Sequence, residues 1–239
     1  MPLDHDQLNI ERDPETHDAE AIQPGATEAD VAAVRAALKT FTAPSGPLLD
    51  IGCGTGRHLR ALAASGHAVV GLDCDQRMLD AAEQAGVPTD CRLLAADASD
   101  FSCDEHFAAA LLLNRSLVCF HSHRMATGLF STVAKHLVPG GLFLIDNCCT
   151  ELWNEVANGN YSNGLSGDGC QQLFFLPGEN RFVWRRDDAV DPENWTPSPS
   201  DRIYRLWSLG EVALAAAGAG LALCCLSSDS PLIVLRRQE

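Results

Sequence analysis

Basic side chains are scarce in this chain of 239 residues: 17 Lys and Arg residues stand against 32 Asp and Glu residues, and the formal net charge is −15. A protein that binds nucleic acid needs a basic face to neutralise phosphates. The densest basic group lies between Arg181 and Arg186, and Asp187 and Asp188 follow it directly. The composition therefore argues against a nucleic acid as partner.

Long apolar runs are also lacking. No run approaches the roughly 18 residues that indicate a membrane span. The acidic, polar N-terminus has neither the basic region nor the apolar core of a secretion signal. We therefore expect no membrane partner and a cytoplasmic location.

Cysteines with metal-binding spacing are lacking as well. The ten cysteines include no CxxC pair, so a zinc site is not expected, and the cysteines are interpreted as reduced, buried thiols. Adjacent cysteines at Cys148-Cys149 and Cys224-Cys225 leave a soft-metal site open as the alternative. Our expectation is that the protein holds no metal.

Apolar runs and amphipathic segments alternate over the first part of the chain. We expect strands at Leu48–Ile51, Ala68–Leu72, Arg92–Ala95, Ala108–Leu113 and Leu142–Ile145. We expect helices at Thr27–Lys39, Arg57–Ala64, Gln76–Ala85 and His123–His136. This alternation predicts an α/β fold with parallel strands joined by right-handed helical crossovers.

The pattern changes after the fifth strand, where residues 147–200 are rich in Gly, Asn and Pro. Two apolar runs there, Gln172–Leu176 and Arg181–Arg185, flank a four-residue turn and predict a hairpin. Later segments predict strands at 202–207, 221–226 and 232–235 and a helix at 211–217. We therefore divide the chain into an N-terminal tail or lid (1–25), a main domain (26–146 and 201–239) and a β-rich insertion (147–200).

A glycine-rich turn follows the first strand, with glycines at Gly52, Gly54 and Gly56. Asp73 ends the second apolar run. A tight turn with a carboxylate at the end of the next strand is how an open α/β sheet holds a nucleoside. Arg57 stands where the dinucleotide fingerprint has its third glycine, and this counts against an NAD-dependent oxidoreductase.

The segment Leu49–Gly56 resembles the first motif of class I S-adenosylmethionine-dependent methyltransferases. Further segments follow in the order of that family, at Gly71–Leu79, Ala96–Ala98, Leu137–Leu142 and Tyr204–Leu226. The resemblance implies a Rossmann-like three-layer sandwich: a mostly parallel seven-stranded sheet with an antiparallel last strand, and a β-rich insertion after strand five. The segment 107–141 and the insertion resemble small-molecule enzymes that N-methylate amino sugars or glycine.

The resemblance also implies a site for S-adenosyl-L-methionine at the carboxyl ends of the strands. Its expected residues are Asp50, Gly52, Cys53, Gly54, Gly56, Asp73, Cys74, Asp97, Ala98 and Asn114. The glycine backbone would contact the methionine part of the cofactor, and Asp50 would anchor this loop. Asp73 would accept both ribose hydroxyls. Asp97 and the Ala98 amide would bind adenine, and Asn114 would lie beside the sulfonium. The structural alternatives are a cap at Asp73 or Asp97 and a turn at Asn114.

Two histidines, His121 and His123, follow strand four on the side where an acceptor should enter. Either could take a proton from an amine or hydroxyl, and the alternative is a surface or cap histidine. The tyrosines that commonly close the cofactor pocket in this family are absent before Tyr161. Residues 1–25 or the insertion must therefore close the site.

The combined prediction is methyl transfer from S-adenosylmethionine to an amine or hydroxyl of a small molecule. The alternative is a catalytically silent protein that binds the cofactor and regulates a partner. The expected oligomeric state is a monomer or a homodimer.

Overall fold

The computed structural model describes residues 25–146, 153–154, 158–159, 163–225 and 230–238. Five α-helices are described: α1 (Ala26–Thr40), α2 (Arg57–Ala64), α3 (Gln76–Gln84), α4 (His123–His136) and α5 (Leu209–Gly218). Ten strands are described: β1 (Leu48–Ile51), β2 (Val69–Asp73), β3 (Cys91–Ala95), β4 (Phe107–Leu112), β5 (Leu137–Asp146), β6 (Gln171–Phe175), β7 (Arg181–Arg186), β8 (Ile203–Arg205), β9 (Leu221–Cys225) and β10 (Leu232–Arg237). None of these helices is long and apolar enough to cross a membrane.

Seven strands form one sheet in the order β3-β2-β1-β4-β5-β10-β9. The first five pair in parallel, and β10 is antiparallel to both β5 and β9. The mostly parallel sheet with an antiparallel last strand is therefore confirmed. Because β1 to β5 run the same way, their carboxyl ends meet at one edge, where ligands bind in open α/β sheets.

Both faces of the sheet are covered, as the fully buried strands β1 and β4 require. Leu49 and Ile51 of β1 belong to a core shared with α4 and α5. Leu48 faces the other side, in a core shared with α1 and α2. These two cores produce three layers, helix–sheet–helix.

The start of strand five differs from the sequence expectation. The strand begins at Leu137, not Leu142, so Pro139-Gly140-Gly141 lies within it and not in a preceding turn. A register shift against β4, between Phe107 and Ala109, accommodates this irregular segment. A Cβ at Gly141 would lie 2.8 Å from the Val138 carbonyl oxygen, so the close approach requires glycine there.

A second, antiparallel sheet has the order β6-β7-β8 and contains the expected hairpin. The strand expected at 202–207 is the shorter β8, which pairs with β7 in this second sheet. Phe182, Trp184 and Tyr204 on one face of the sheet pack against the main core. On the other face, Arg185 donates to Asp201 through Nε at 2.8 Å and Nη2 at 2.7 Å, which ties the following loop to the sheet.

Trp207 joins the second sheet to the segment that follows β4. Its indole Nε1 donates to the Leu117 carbonyl oxygen at 3.1 Å, and its own carbonyl accepts from Trp153 Nε1 at 3.1 Å. The Arg205 guanidinium lies 4.5 Å from the Trp207 ring and pairs with Glu211. Glu211 also completes a capping box with Ser208 that begins α5.

Candidate functional site

The glycine turn after β1 has a left-handed backbone at all three glycines. The φ values of Gly52, Gly54 and Gly56 are 67°, 55° and 78°, a region that side chains disfavour. Gly56 begins α2 without any side-chain cap. A ligand that approaches this loop would therefore meet backbone atoms, because the three glycines have no side chains.

Asp73 links the end of β2 to the glycine turn. Its Oδ2 accepts from the Gly54 amide at 2.8 Å and its Oδ1 from the Asp75 amide at 3.0 Å. Burial raises the pKa of Asp73, although these two amides act in the opposite direction. The cap of α3 is Asp75, whose side chain accepts from the Arg77 amide. A carboxylate has about four lone-pair sites, so Asp73 keeps acceptor capacity for two ribose hydroxyls.

Asp50 lies inside the sheet, below the turn. It is 1% exposed, and its Oδ2 has no hydrogen-bond partner among the described residues. Burial raises the pKa of Asp50 to about 6, against the opposing positive charges of His58 and Arg57. A buried, unpartnered acceptor is costly, and a cationic ligand group, directly or through a water molecule, would satisfy it.

Asp97 and Ala98 follow β3 at the same edge. Asp97 Oδ1 accepts from the amide and hydroxyl of Ser99, at 2.8 and 2.7 Å. One oxygen of Asp97 therefore caps the turn, which was the structural alternative for this residue. Asp97 is nevertheless exposed at the end of the strand, whereas Ala98 is buried. Burial and then the charges of Asp73 and Asp97 raise the pKa of Cys74 to about 12. Asp73, Cys74 and Asp97 therefore form one acidic neighbourhood.

Cys53 has a packing role beneath the turn. It is buried, and its Sγ would lie only 2.9 Å from a Cβ placed on Gly71 of β2. Burial, with the nearby charges of Asp50 and Asp73, raises the pKa of this thiol. Cys53 is therefore a neutral packing group, and its backbone remains available to the ligand.

Asn114 and Arg115 form a strained turn directly after β4. Both have left-handed φ values, 57° and 60°, which is uncommon for residues other than glycine. The Arg115 amide donates to Asp146 Oδ2 at 2.6 Å. The next residue, Ser116, has its Oγ 3.5 Å from where a Cβ of Gly52 would lie. The turn that contains Asn114 therefore lies against the glycine turn.

Asp146 is a candidate site residue that our sequence reasoning missed. It ends β5 beside the Asn114 turn, at the carboxyl edge of the sheet. A carboxylate directly after the apolar run of strand five was a usable signal, because Asp73 stands in the same position on β2. Such a residue can hold the turn and place negative charge beside it.

The two candidate bases have different environments. His121 is 4% exposed and lies between a short 3₁₀ helix, Ser116–Cys119, and the Ser122 cap of α4. His123 is exposed on the first turn of α4. The structure thus places His121 inside the protein, and it places His123 at the surface.

Several expectations lie outside the described residues, among them residues 1–24, Cys148-Cys149 and Tyr161. Within the described part of the chain, no group of three or more His, Cys, Asp or Glu side chains could hold a metal ion.

Sequence comparison shows what this part of the chain is similar to. Residues 48–141 match a family described as a methyltransferase domain. That part of the chain is therefore similar to a methyltransferase domain. This matched region runs from β1 into β5 and includes the glycine turn, Asp73, Asp97 and Asn114, so the resemblance inferred from the motifs is confirmed.

Two curated relatives of the methyltransferase domain come from Streptomyces. A cypemycin N-terminal methyltransferase of a Streptomyces species is 28% identical over 144 residues, which cover 58% of this chain and 58% of that protein. A dTDP-3-amino-3,6-dideoxy-alpha-D-glucopyranose N,N-dimethyltransferase of Streptomyces fradiae is 30% identical over 118 residues, covering 49% and 44%. The chain thus spans about half the length of the curated relatives it matches.

Solved structures share the fold over nearly the whole chain. DesVI of Streptomyces venezuelae superposes with a TM-score of 0.65 at 19% identity, covering 96% of this chain and 100% of that one. CalS10, described as an S-adenosylmethionine-bound amino pentose methyltransferase of Micromonospora echinaspora, has a TM-score of 0.63 at 18% identity, covering 96% and 99%. At these identities the likeness shows the fold, which is the Rossmann-like fold of class I methyltransferases.

Proposed function

We propose that this protein transfers a methyl group from S-adenosyl-L-methionine to an amine or hydroxyl of a small molecule. An amine is favoured, because the two curated relatives are named as N-terminal and N,N-dimethyl transferases. Free thiols at all eight described cysteines suit a reducing compartment, and we place the reaction in the cytoplasm.

The observation that carries the proposal is the Asp50–Asp73 pair around the glycine turn. One carboxylate holds the turn through Gly54, and the other has a buried oxygen without a partner. These groups fit a ligand that has a primary ammonium group at one end and a ribose further along. S-adenosylmethionine has both, and it has no phosphate that would be repelled by this acidic edge.

The remaining roles follow from position. Asp97 and the Ala98 amide would bind adenine, and Asn114 would lie beside the sulfonium. The bound cofactor supplies a methyl group that is already activated, so the protein mainly aligns the acceptor and excludes water. His121 would take the proton that the acceptor loses. The second sheet, with residues 147–200, would cover the acceptor.

The test is a transfer assay with methyl-labelled S-adenosylmethionine and three acceptor types: a dTDP-amino sugar, a peptide with a free N-terminus, and a hydroxyl analogue of the sugar. We expect one amine to be methylated, and His121→Gln to lower the rate by about 100-fold. His123→Gln, the matched exposed histidine, should leave the rate unchanged. Cofactor binding without transfer to any acceptor would favour the silent, regulatory alternative and contradict the proposal.

A further inference from the structure

One long segment of this acidic protein contains no charged residue. The segment Val212–Cys225 contains only Ala, Gly, Val, Leu and Cys over fourteen residues, in a chain where 21% of the residues are charged. It forms most of α5 and all of β9. Much of it is at the surface: Leu214 is 75% exposed and Leu223 is 40% exposed. Exposed apolar patches of this kind mark interaction sites.

Among the described elements, helix α5 is packed against a neighbouring helix on one flank only. It buries Val212 and Ala216 against the sheet and packs against α4 on one flank. Leu214 and Ala217 lie on the exposed part of the helix. Within the described residues, no element covers this outer flank.

Strand β9 is the last strand of the seven-stranded sheet, and among the described residues it pairs only with β10. A register shift leaves Cys224 as an extra residue, so Leu221–Leu223 is the regular part of the strand. The backbone groups on its outer side are therefore available to another strand.

The opposite edge of the same sheet is protected. Strand β3 carries Arg92, which forms an ion pair with Glu105. Charged side chains on edge strands prevent pairing between molecules. Because β9 has no charged residue, the two edges of one sheet differ in the feature that decides whether an edge can pair.

We propose that α5 and β9 form the interface of a homodimer. A net charge of −15 repels a second copy from most of the surface, so copies can approach closely only through an uncharged face. Antiparallel pairing of β9 with β9 of a second copy is self-complementary about a two-fold axis. This pairing places the two α5 helices side by side, so that the Leu214 side chain of each copy packs against the α5 helix of the other copy.

A segment of the same chain is less suited to cover the face formed by α5 and β9. Residues 1–24 contain seven Asp and Glu residues and one Arg, which does not match an apolar face. An anionic membrane surface would also repel the molecule. A second copy is the occupant that both the charge and the strand edge favour.

Light scattering after size exclusion, at protein concentrations from about 5 to 100 µM, measures the mass directly. We expect twice the chain mass of 25.6 kDa for the wild type. Leu223→Lys should yield the single-chain mass, with circular dichroism and S-adenosylhomocysteine binding unchanged. Leu214→Glu provides the same test on α5 if the strand variant does not fold.

The matched control is Phe175→Lys, because Phe175 is 38% exposed on β6, an edge of the second sheet. This variant should stay dimeric. A single-chain mass for the wild type at every concentration would overturn the proposal. A dimer that survives Leu223→Lys and Leu214→Glu would also overturn it, and loss of that dimer in Phe175→Lys would place the interface on the second sheet. None of these outcomes depends on the proposed activity.

Discussion

Asp50 destabilises the protein that lacks a ligand. Its pKa of about 6 in the folded state lies above the ordinary value of 3.8. The folded protein therefore binds more protons than the unfolded chain between these values, and the unfolding free energy falls as the pH rises from about 4 to about 6. Above about pH 6, where Asp50 is ionised in the folded protein, the unfolding free energy has fallen by about 3 kcal/mol.

Asp50→Asn should remove this cost and raise the unfolding free energy at pH 7 by about 1–3 kcal/mol. It should also weaken S-adenosylhomocysteine binding by about tenfold or more, because the charge that faces the ligand is lost. Urea unfolding at pH 4, 5, 6 and 7, with calorimetry at pH 7, measures both effects. The control is Asp90→Asn at an exposed carboxylate. A variant less stable than the wild type at pH 7 would contradict this explanation of Asp50.

Residues within the local motif could be predicted from the sequence, whereas residues that depend on tertiary contacts could not. Gly52, Gly54, Gly56 and Asp73 follow from their spacing, because the turn after a buried strand is a local feature. Asp146 had the same strand-end signal as Asp73, but its contact with the Arg115 amide, 31 positions away in sequence, could not be predicted. The burial that raises the pKa of Asp50 is likewise a property of the assembled sheet.

At the scale of elements, helix α4 supports the acidic loop that follows β3. Thr132 Oγ1 donates to the Ser99 carbonyl oxygen at 3.1 Å. One turn earlier, a Cβ at Gly128 would lie 2.6 Å from the same oxygen. The helix and the loop backbone are therefore in direct contact, two residues from Asp97.

Gly128→Ala should push the loop away from α4, because the atom in the way belongs to the backbone and cannot rotate aside. We expect a loss of about 1–3 kcal/mol in the unfolding free energy and weaker binding of S-adenosylhomocysteine. The matched control is Gly210→Ala in α5, where a Cβ meets nothing within 4 Å. That variant should gain about 0.5–1 kcal/mol. Unchanged cofactor affinity in Gly128→Ala would show that α4 does not position the loop.

Helix and strand positions were predicted well where the hydrophobic period was uninterrupted. Strand β1 and helices α2 and α4 have the expected bounds. Strand β5 starts five residues earlier than expected, because the sequence Pro139-Gly140-Gly141 is typical of a turn. Its place within a strand depends on the bulge opposite Phe107 and Ala109, which is a property of strand pairing and not of the segment itself.

At the scale of the whole molecule, Trp207 connects the segment after β8 with the segment after β4. Its indole N–H reaches the Leu117 carbonyl oxygen, 90 positions away in sequence, in a buried contact. The association of β8 with the second sheet and with this tryptophan could not be predicted, because apolar periodicity does not reveal which sheet a strand joins.

Trp207→Phe should lower the unfolding free energy by about 1–3 kcal/mol, because it removes a buried hydrogen bond to the Leu117 carbonyl oxygen, which keeps only the Phe120 amide, and leaves a smaller ring in a buried place. Urea unfolding followed by circular dichroism checks this. Trp195→Phe is the control: its indole N–H donates to the nearby Pro192 carbonyl oxygen at 2.7 Å, in an exposed contact. It should cost less than about 1 kcal/mol. Equal losses in both variants would mean that the Trp207–Leu117 contact stabilises the protein no more than a local hydrogen bond does.

The central claim is that the glycine turn and Asp73 hold an S-adenosyl group, and calorimetry with S-adenosylhomocysteine tests it most directly. The wild type should bind one molecule per chain, and Asp73→Ala should bind at least about 30-fold more weakly, because the carboxylate supports both the ribose and Gly54. Asp75→Ala, which removes the cap of α3 and an ion pair with the exposed Arg77, should bind within about threefold of the wild type. Absence of binding by the wild type, or equal affinity in Asp73→Ala, would contradict the account.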